Sequence, residues 1–389
     1  MKTRLRGLLL RLTNPRLLRV ATARPQSTGT IKRILVIRPD HLGDLLFATP
    51  ALARLRGAFP NAQITGLVGP WGRAIWQDNP NLDALKVVTF PGIAGDRGNP
   101  LAPYSLLRRT ASKLAQENYD LGVTLRFDHW WGAALLAAAG IPRRWGYDTP
   151  GMGAWLTNTV PYKAGLHEVE QNLALVEALI KGEGGQQHEP PGVDRNMGHP
   201  ALTPPAATTP DLALLAEWTS AQRRAIIHPG TMSANKLWTV NGWAEVAKRL
   251  SAQGWTVALT GSPDEQPLAD VIMSAAGEQT VRNFVGATLS VSQLVWVLGQ
   301  SHMVLGVDNG PLHIADALGK PTLHLYGPSD ETIWGPWGDP RKHRAFRAPG
   351  TRPASHLDTG AAGIEGGPEM RAITVDMVMG EITQLQQYP

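Results

Sequence analysis

The stretch LGVDNGPLHIADALGKPTLHLYGPS, residues 305–329, reads as the end of a strand, a turn, a helix and a second strand. Apolar runs at Met303–Val307 and Thr322–Tyr326 flank a helical pattern at Pro311–Leu318. Pro311 suits the first helical position, where its missing N–H costs nothing, and Gly310 suits the turn before it. A strand that returns to a second strand through a helix is the unit of a parallel sheet covered on both faces.

The same alternation extends upstream. Strands are expected at Ala225–His228 and Thr256–Thr260, with helices at Trp243–Gln253, Leu268–Ala276 and Leu294–Gln300. An earlier series has strands at Ile34–Ile37, Gln63–Val68, Leu85–Phe90 and Leu121–Leu125. Its helices fall at Leu45–Ala58, Leu101–Glu117 and Trp130–Ala139. The expected class is α/β, with two Rossmann-like domains whose parallel sheets face one another across a cleft. The organisation expected is a basic arm at 1–33, a first domain at 34–181, a linker at 182–222, a second domain at 223–368 and a C-terminal helix at 369–389. Gly, Pro, Thr and Ala without hydrophobic period mark 182–210 as the core of the linker. Ligands of open α/β sheets bind beyond the carboxyl ends of the strands, so functional residues are sought in the loops that follow them.

The net charge of +5 belongs to one end of the chain. Residues 1–33 hold nine Lys or Arg and no acid, and the rest carries 28 bases against 32 acids. That distribution argues against a general nucleic-acid-binding surface. The arm interleaves its bases with leucines, a pattern open to two readings: a segment lying on an anionic membrane surface, or a basic leader interrupted at Pro15. Cysteine is absent, which excludes structural disulfides, thiolate metal sites and cysteine nucleophiles. No apolar run approaches a membrane span and no secretory signal pattern is evident, so a cytoplasmic location is expected, with the arm as the candidate contact to the inner face of the inner membrane.

Three segments carry candidate chemistry. In IRPDHLGDLLFATPAL, residues 37–52, Gly43 permits a tight approach and Asp44 falls in the first turn of a helix. Asp44 there serves either as a reactive carboxylate or as an N-terminal acid satisfying free amides, and Asp40 as a loop residue. In HPGTMSANKLWTVNGWAEVAKRL, residues 228–250, the loop after a strand bears Thr231, Ser233, Asn235 and Lys236. Hydroxyls, amides and a cation suit a diphosphate; a solvated polar loop has the same composition. In residues 305–329, Asp308 suits a sugar hydroxyl, Asn309 and Gly310 form the turn, and the helix start offers amides and a positive dipole end to phosphate. His313 lies in its first turn, as a ligand contact or as a buried hydrogen-bonding group. Arg126, His129, Trp130, Trp131, Arg143, Arg144 and Trp145 are read as lying on or near loops after strands, suited to an anionic sugar or to packing. No HExxH, Cys/His ligand set, Asp-x-Asp pair or P-loop is found.

The order and spacing of the three segments resemble glycosyltransferase family 9, the ADP-heptose:lipopolysaccharide heptosyltransferases. The likeness runs from Ile34 to about Trp337 and resumes at MRAITVDMV, residues 370–378. It implies the two-domain GT-B fold, with an acceptor-binding first domain and a donor-binding second one. It also implies inverting, metal-independent transfer of heptose from ADP-heptose to a lipopolysaccharide inner-core or lipid-linked acceptor, with no cofactor beyond the sugar nucleotide. By resemblance, Asp44 is the general base and Lys236 neutralises the departing diphosphate. Asp308, Asn309, Gly310 and His313 grip the donor, Glu265 contacts the adenosine ribose, and Thr231 and Ser233 touch the phosphates. Arg126, Arg143 and Arg144 are the candidate acceptor contacts. The helix start is expected to keep Asp44 ionised and so a weaker base. Two features depart from the family pattern: the basic arm, and a Gly/Pro-rich stretch at 345–369 where the family often carries cysteines. The alternatives are a transferase of the same family with another nucleotide sugar or acceptor, and a silent member that binds donor or lipid.

Overall fold

The computed structural model describes residues 29–92, 101–186, 218–277, 279–286, 290–354 and 366–387. The basic arm up to residue 28, most of the expected linker and part of the 345–369 stretch lie outside them. The chain divides into two compact units, Met1–Gly192 and Val193–Pro389.

In chain order the first unit contains β1 (Arg33–Arg38), α1 (Leu42–Phe47), α2 (Thr49–Ala58), β2 (Gln63–Val68), α3 (Arg73–Trp76) and β3 (Ala84–Val87). Then follow α4 (Ala102–Ala115), β4 (Leu121–Thr124), α5 (Trp130–Ala138), β5 (Arg143–Tyr147), β6 (Asn158–Val160) and α6 (Glu168–Glu183). Its sheet is parallel, in the order β3-β2-β1-β4-β5-β6. Leu35 and Ile37 of β1 face a core with Phe90, Trp131 and the alanines of α5.

The second unit contains β7 (Arg224–His228), α7 (Val240–Ala252), β8 (Thr256–Leu259), α8 (Gln266–Ala276), β9 (Val281–Asn283) and α9 (Val291–Gly299). It continues through β10 (Met303–Val307), α10 (Gly310–Ala317), β11 (Thr322–Tyr326), α11 (Glu331–Trp334), β12 (His343–Arg347), α12 (Pro368–Arg371) and α13 (Val375–Leu385). The sheet order is β12-β11-β10-β7-β8-β9, again parallel. Trp238 and Trp243 meet edge to face at 4.9 Å, and the Trp238 indole donates to the Ile373 carbonyl at 3.0 Å. Met370, Val378, Ile382 and Leu385 close the same core, so the C-terminal helices belong to this unit.

Counted within each unit, both sheets have the strand order 3-2-1-4-5-6. In each the order reverses between the first and fourth strands, β1/β4 and β7/β10, which is where open α/β sheets bind ligands.

The structure departs from the sequence reading at several points, and α6, β6 and β9 have no counterpart in it. The helix expected over Leu45–Ala58 is two helices. Pro50 has no N–H for the Leu46 carbonyl, which instead accepts from the Thr49 hydroxyl at 2.8 Å, and the helix restarts. Residues 143–145 are the start of β5 and not a loop. The strand β12 occupies the beginning of the stretch read as Gly/Pro-rich.

Candidate active site

The first switch point is filled by charge. Arg38 ends β1 and is 2% exposed. Its guanidinium meets Asp40 at 2.5 Å, Glu168 at 2.8 Å and Asp44 at 3.7 Å, and donates to the Leu125 carbonyl and to Asn172 Oδ1. Glu168 and Asn172 come from the first turns of α6, which begins where His167 Nδ1 accepts from the Val169 amide. Arg126, from the loop after β4, pairs with Asp40 and with Asp128. The Trp71 indole donates to the Asp40 carbonyl at 2.5 Å and its ring lies against His41.

Asp44 is the third residue of α1, and its side chain is 26% exposed. The N-cap position is held by His41, with no side-chain cap, so Asp44 is not the capping acid its position allowed. The helix start does not keep it strongly acidic. Burial, then the charges of Asp40 and Glu168, push its carboxyl up to about 7, against the opposing pull of Arg38 and Arg126. The six-residue α1 offers too little dipole to reverse this. A carboxyl with a pKa near neutrality is matched to proton abstraction at neutral pH.

The second switch point gathers a lysine and a histidine around one carboxylate. Lys236 ends a single 3₁₀ turn, Ala234–Lys236, in the loop after β7, and its ammonium sits 2.7 Å from Asp308 at the end of β10. His313 Nε2 lies 3.8 Å from the other Asp308 oxygen. Burial works against the Asp308 carboxylate, yet His313 and Lys236 hold it well below the usual range. Burial also opposes charge on His313, but Asp308 and Asp316 raise its pKa to about 9. At neutral pH this cluster therefore carries two fixed cations beside Asp308.

Asn309 caps α10, accepting from the Leu312 amide at 3.1 Å and donating to the Gly230 carbonyl at 2.8 Å. With that amide capped and Pro311 lacking one, Gly310 is the first-turn amide left for an anion. Gly306 lets α10 and β7 approach: a Cβ there would stand 2.5 Å from both the His228 carbonyl oxygen and a Leu312 methyl. Glu265 follows β8, where its carboxylate accepts from the Ser262 amide and hydroxyl in a capping box. It lies so close over Gly230 that a Cβ on that residue would overlap it. Thr231 and Ser233 are half-buried on the same loop as Lys236.

The structure thus groups Lys236, Asp308, Asn309, Gly310 and His313, ties Glu265 to them through Gly230, and links Asp44 to Arg126 through Arg38 and Asp40, which pair with one another. Arg143 and Arg144 are not brought together with these. They start β5, at the amino edge of the sheet, paired in register with Leu121 and Gly122. Arg143 donates to the Gly29 carbonyl and faces Glu183 at 3.4 Å. Arg144 donates to the carbonyls of Trp155 and Ile141 and is 4% exposed. Their loop assignment fails because these backbone carbonyls absorb both guanidinium groups.

Sequence reasoning missed Arg38, Glu168 and Asn172, and also a group around Asp316. His313, Asp316 and His324 place ligand-type atoms within 4.8 Å of one another, the cation-sized His/Asp set of the described residues. No linear spacing announces it, since α10 and β11 contribute separately.

The profile of glycosyltransferase family 9 (heptosyltransferase) matches residues 107–353. Lipopolysaccharide heptosyltransferase 3 of Escherichia coli is 28% identical over 304 residues, 76% of this chain and 84% of that protein. The solved structure of E. coli ADP-heptose lps heptosyltransferase II superposes with a TM-score of 0.71 at 22% identity, over 91% of this chain and 99% of that one. E. coli heptosyltransferase WaaC with ADP gives 0.67 at 20% identity, over 91% and 99%. The fold, two Rossmann-like α/β units, is that of the solved heptosyltransferases. The chain belongs to glycosyltransferase family 9, the heptosyltransferases.

Proposed function

We propose that the protein transfers heptose from ADP-heptose to a hydroxyl of a lipopolysaccharide inner-core acceptor, with inversion and without a metal. The observation that carries this reading is the pairing of opposite chemistry at equivalent switch points. One holds a carboxyl poised near pH 7, the other a lysine and an imidazolium around one carboxylate.

In the proposed step Asp44 accepts the proton of the acceptor hydroxyl while its oxygen bonds to the anomeric carbon. The bond from that carbon to the β-phosphate oxygen breaks, ADP leaves with the electron pair, and a single displacement inverts the centre. General-base help of this kind is worth ~10²–10⁴-fold. Lys236, His313 and the Gly310 amide take the charge that builds on the diphosphate, the work a cation does in metal-dependent transferases. Thr231 and Ser233 are assigned to the phosphates, and Glu265 to the adenosine ribose, which requires its capping bond to Ser262 to open or be shared. Arg126 is assigned to an anionic group of the acceptor.

Similarity to enzymes named for lipopolysaccharide and to a structure solved with ADP supports donor and acceptor. A cytoplasmic location, with residues 1–33 on the inner membrane surface, fits such an acceptor; none of the helices described is long and apolar enough to cross a membrane. Turnover of ADP-heptose with purified truncated core acceptors tests the reading. One added heptose, insensitive to EDTA and with the anomeric configuration reversed, is expected. Binding of ADP-heptose without transfer to any core acceptor would contradict it.

A further inference from the structure

The Asp316 carboxylate is 2% exposed and has no part in the reaction described above. Its Oδ1 accepts from the Thr322 hydroxyl at 2.5 Å and lies 3.1 Å from His324 Nε2 and 3.2 Å from His343 Nδ1. Its Oδ2 lies 3.2 Å from His313 Nδ1. Four side chains from α10, β11 and β12 thus converge on one buried carboxylate. A buried carboxylate is costly unless its lone pairs are met, and here they are. His324 is fully buried and its other ring nitrogen, Nδ1, has no hydrogen-bond partner, as expected of a neutral ring whose only N–H is given to Asp316. His313 differs, because each of its nitrogens faces a carboxylate, Asp316 on one side and Asp308 on the other.

We propose that Asp316 is a positioning residue of the donor site: through Nδ1 it fixes the His313 ring as an imidazolium, so that a departing diphosphate meets two cations, His313 and Lys236. The proposal rests on the reading that Lys236 and His313 receive the donor diphosphate. It adds to that reading the source of His313's charge. A cation at His313, Asp316 and His324 is the competing account of the same spacing. Hydrogen bonding is favoured because the charges already balance, Lys236 and His313 against Asp308 and Asp316. A divalent ion would displace the His313 proton and leave a buried excess of positive charge.

The groups facing His313 are Asp308 after β10, Lys236 after β7, Asp316 on α10, His324 and Tyr326 on β11, and His343 on β12. The rings of His313 and His324 are 5.0 Å apart, and Tyr326 stacks on His324 and donates to the Trp334 carbonyl. Glu331 on α11 adds charge near Tyr326. The helix α9, VSQLVWVLG, contributes none. Among the described residues, Asp308 and Asp316 bring negative charge to the His313 nitrogens, and Asp308 shares its charge with Lys236.

The test is histidine ¹⁵N NMR on the full chain, assigned with His313→Gln, together with the pH dependence of ADP binding. In the wild type His313 should titrate near pH 9. In Asp316→Asn it should titrate lower by about one unit or more. ADP affinity should then fall several-fold at pH 8.5 and match the wild type at pH 6. Should Asp316→Asn fail to fold, Thr322→Val, which removes one donor to Asp316 and leaves its charge less shared, should shift the His313 titration upward by a smaller amount, and an unmoved titration would count against the coupling. A merely structural role would lower the melting temperature and leave both the His313 titration and the pH dependence of ADP binding unmoved, which would overturn the proposal. So would stoichiometric metal in the purified protein whose removal by chelator abolishes ADP binding. Absence of ADP binding by the wild type would instead count against the diphosphate reading, and the NMR titration would still judge the Asp316–His313 coupling.

Discussion

Each unit places a carboxylate at its reversal in strand order, Asp44 after the first strand of its unit, β1, and Asp308 after the fourth strand of its own, β10. Their acidities diverge in opposite directions. Asp44 shares its pocket with Asp40 and Glu168, and Arg38, the nearest cation, is divided among three acids at 2.5–3.7 Å. Asp308 has Lys236 at 2.7 Å and shares His313, at 3.8 Å, with Asp316 on the far side of the imidazole. The fold supplies the position and the count of neighbouring charges supplies the chemistry, a base in one unit and a fixed anion holding two cations in the other.

The largest effect that could break this contrast is removal of the base. Asp44→Asn should lower kcat/KM for transfer by ~10²–10⁴-fold while ADP affinity stays within about twofold. Loss of ADP binding instead would place Asp44 with the donor. Next comes Lys236→Ala, expected to reduce kcat by about 10²–10³-fold, as for loss of one group that stabilises transition-state charge. Here ADP affinity should fall as well, and retention of both would remove Lys236 from the site.

These two expectations also mark what the sequence made legible. Asp44, Lys236, Asp308 and His313 lie in strand–loop–helix segments whose periodicity and turn residues are local. The partners that set their acidity do not. Glu168 is 130 residues from Arg38, and nothing in HEVEQN signals that the first of its two acids is buried. Asp316 gains meaning only once β11 and β12 bring His324 and His343 beside it. The strand β5 is hidden for a related reason, since RRWGY opens with two charges, which the fold meets with backbone carbonyls and the Glu183 carboxylate. The break between α1 and α2 was available in Pro50, which an otherwise helical pattern of apolar residues concealed.

A smaller effect sharpens the contrast. If Glu168 helps raise Asp44, then Glu168→Gln should move the acid limb of the kcat/KM–pH profile down from about 7 by about half a unit to one unit. The sign follows from the base being active when ionised: wild-type activity rises with pH through about 7, and removing a neighbouring negative charge lets ionisation begin earlier. An upward shift would show that Arg38, freed from Glu168, turns away from Asp44.

The smallest kinetic effect is expected from the arginines outside both clusters. Arg144→Met should cost about 1–3 kcal/mol of stability, because two buried carbonyls lose their donor, and leave the acceptor KM unchanged. Arg126→Ala should raise that KM several-fold. A reversal of the two results would move the acceptor to the other edge of the sheet.

The most direct measurement is mass spectrometry of the product formed from ADP-heptose and truncated lipopolysaccharide cores, with Asp44→Asn beside the wild type. The account predicts a gain of one heptose by a core acceptor in the wild type, and that gain lost or reduced at least ~10²-fold in the variant. Equal product from both proteins, or ADP-heptose bound with no core acceptor modified, would contradict it.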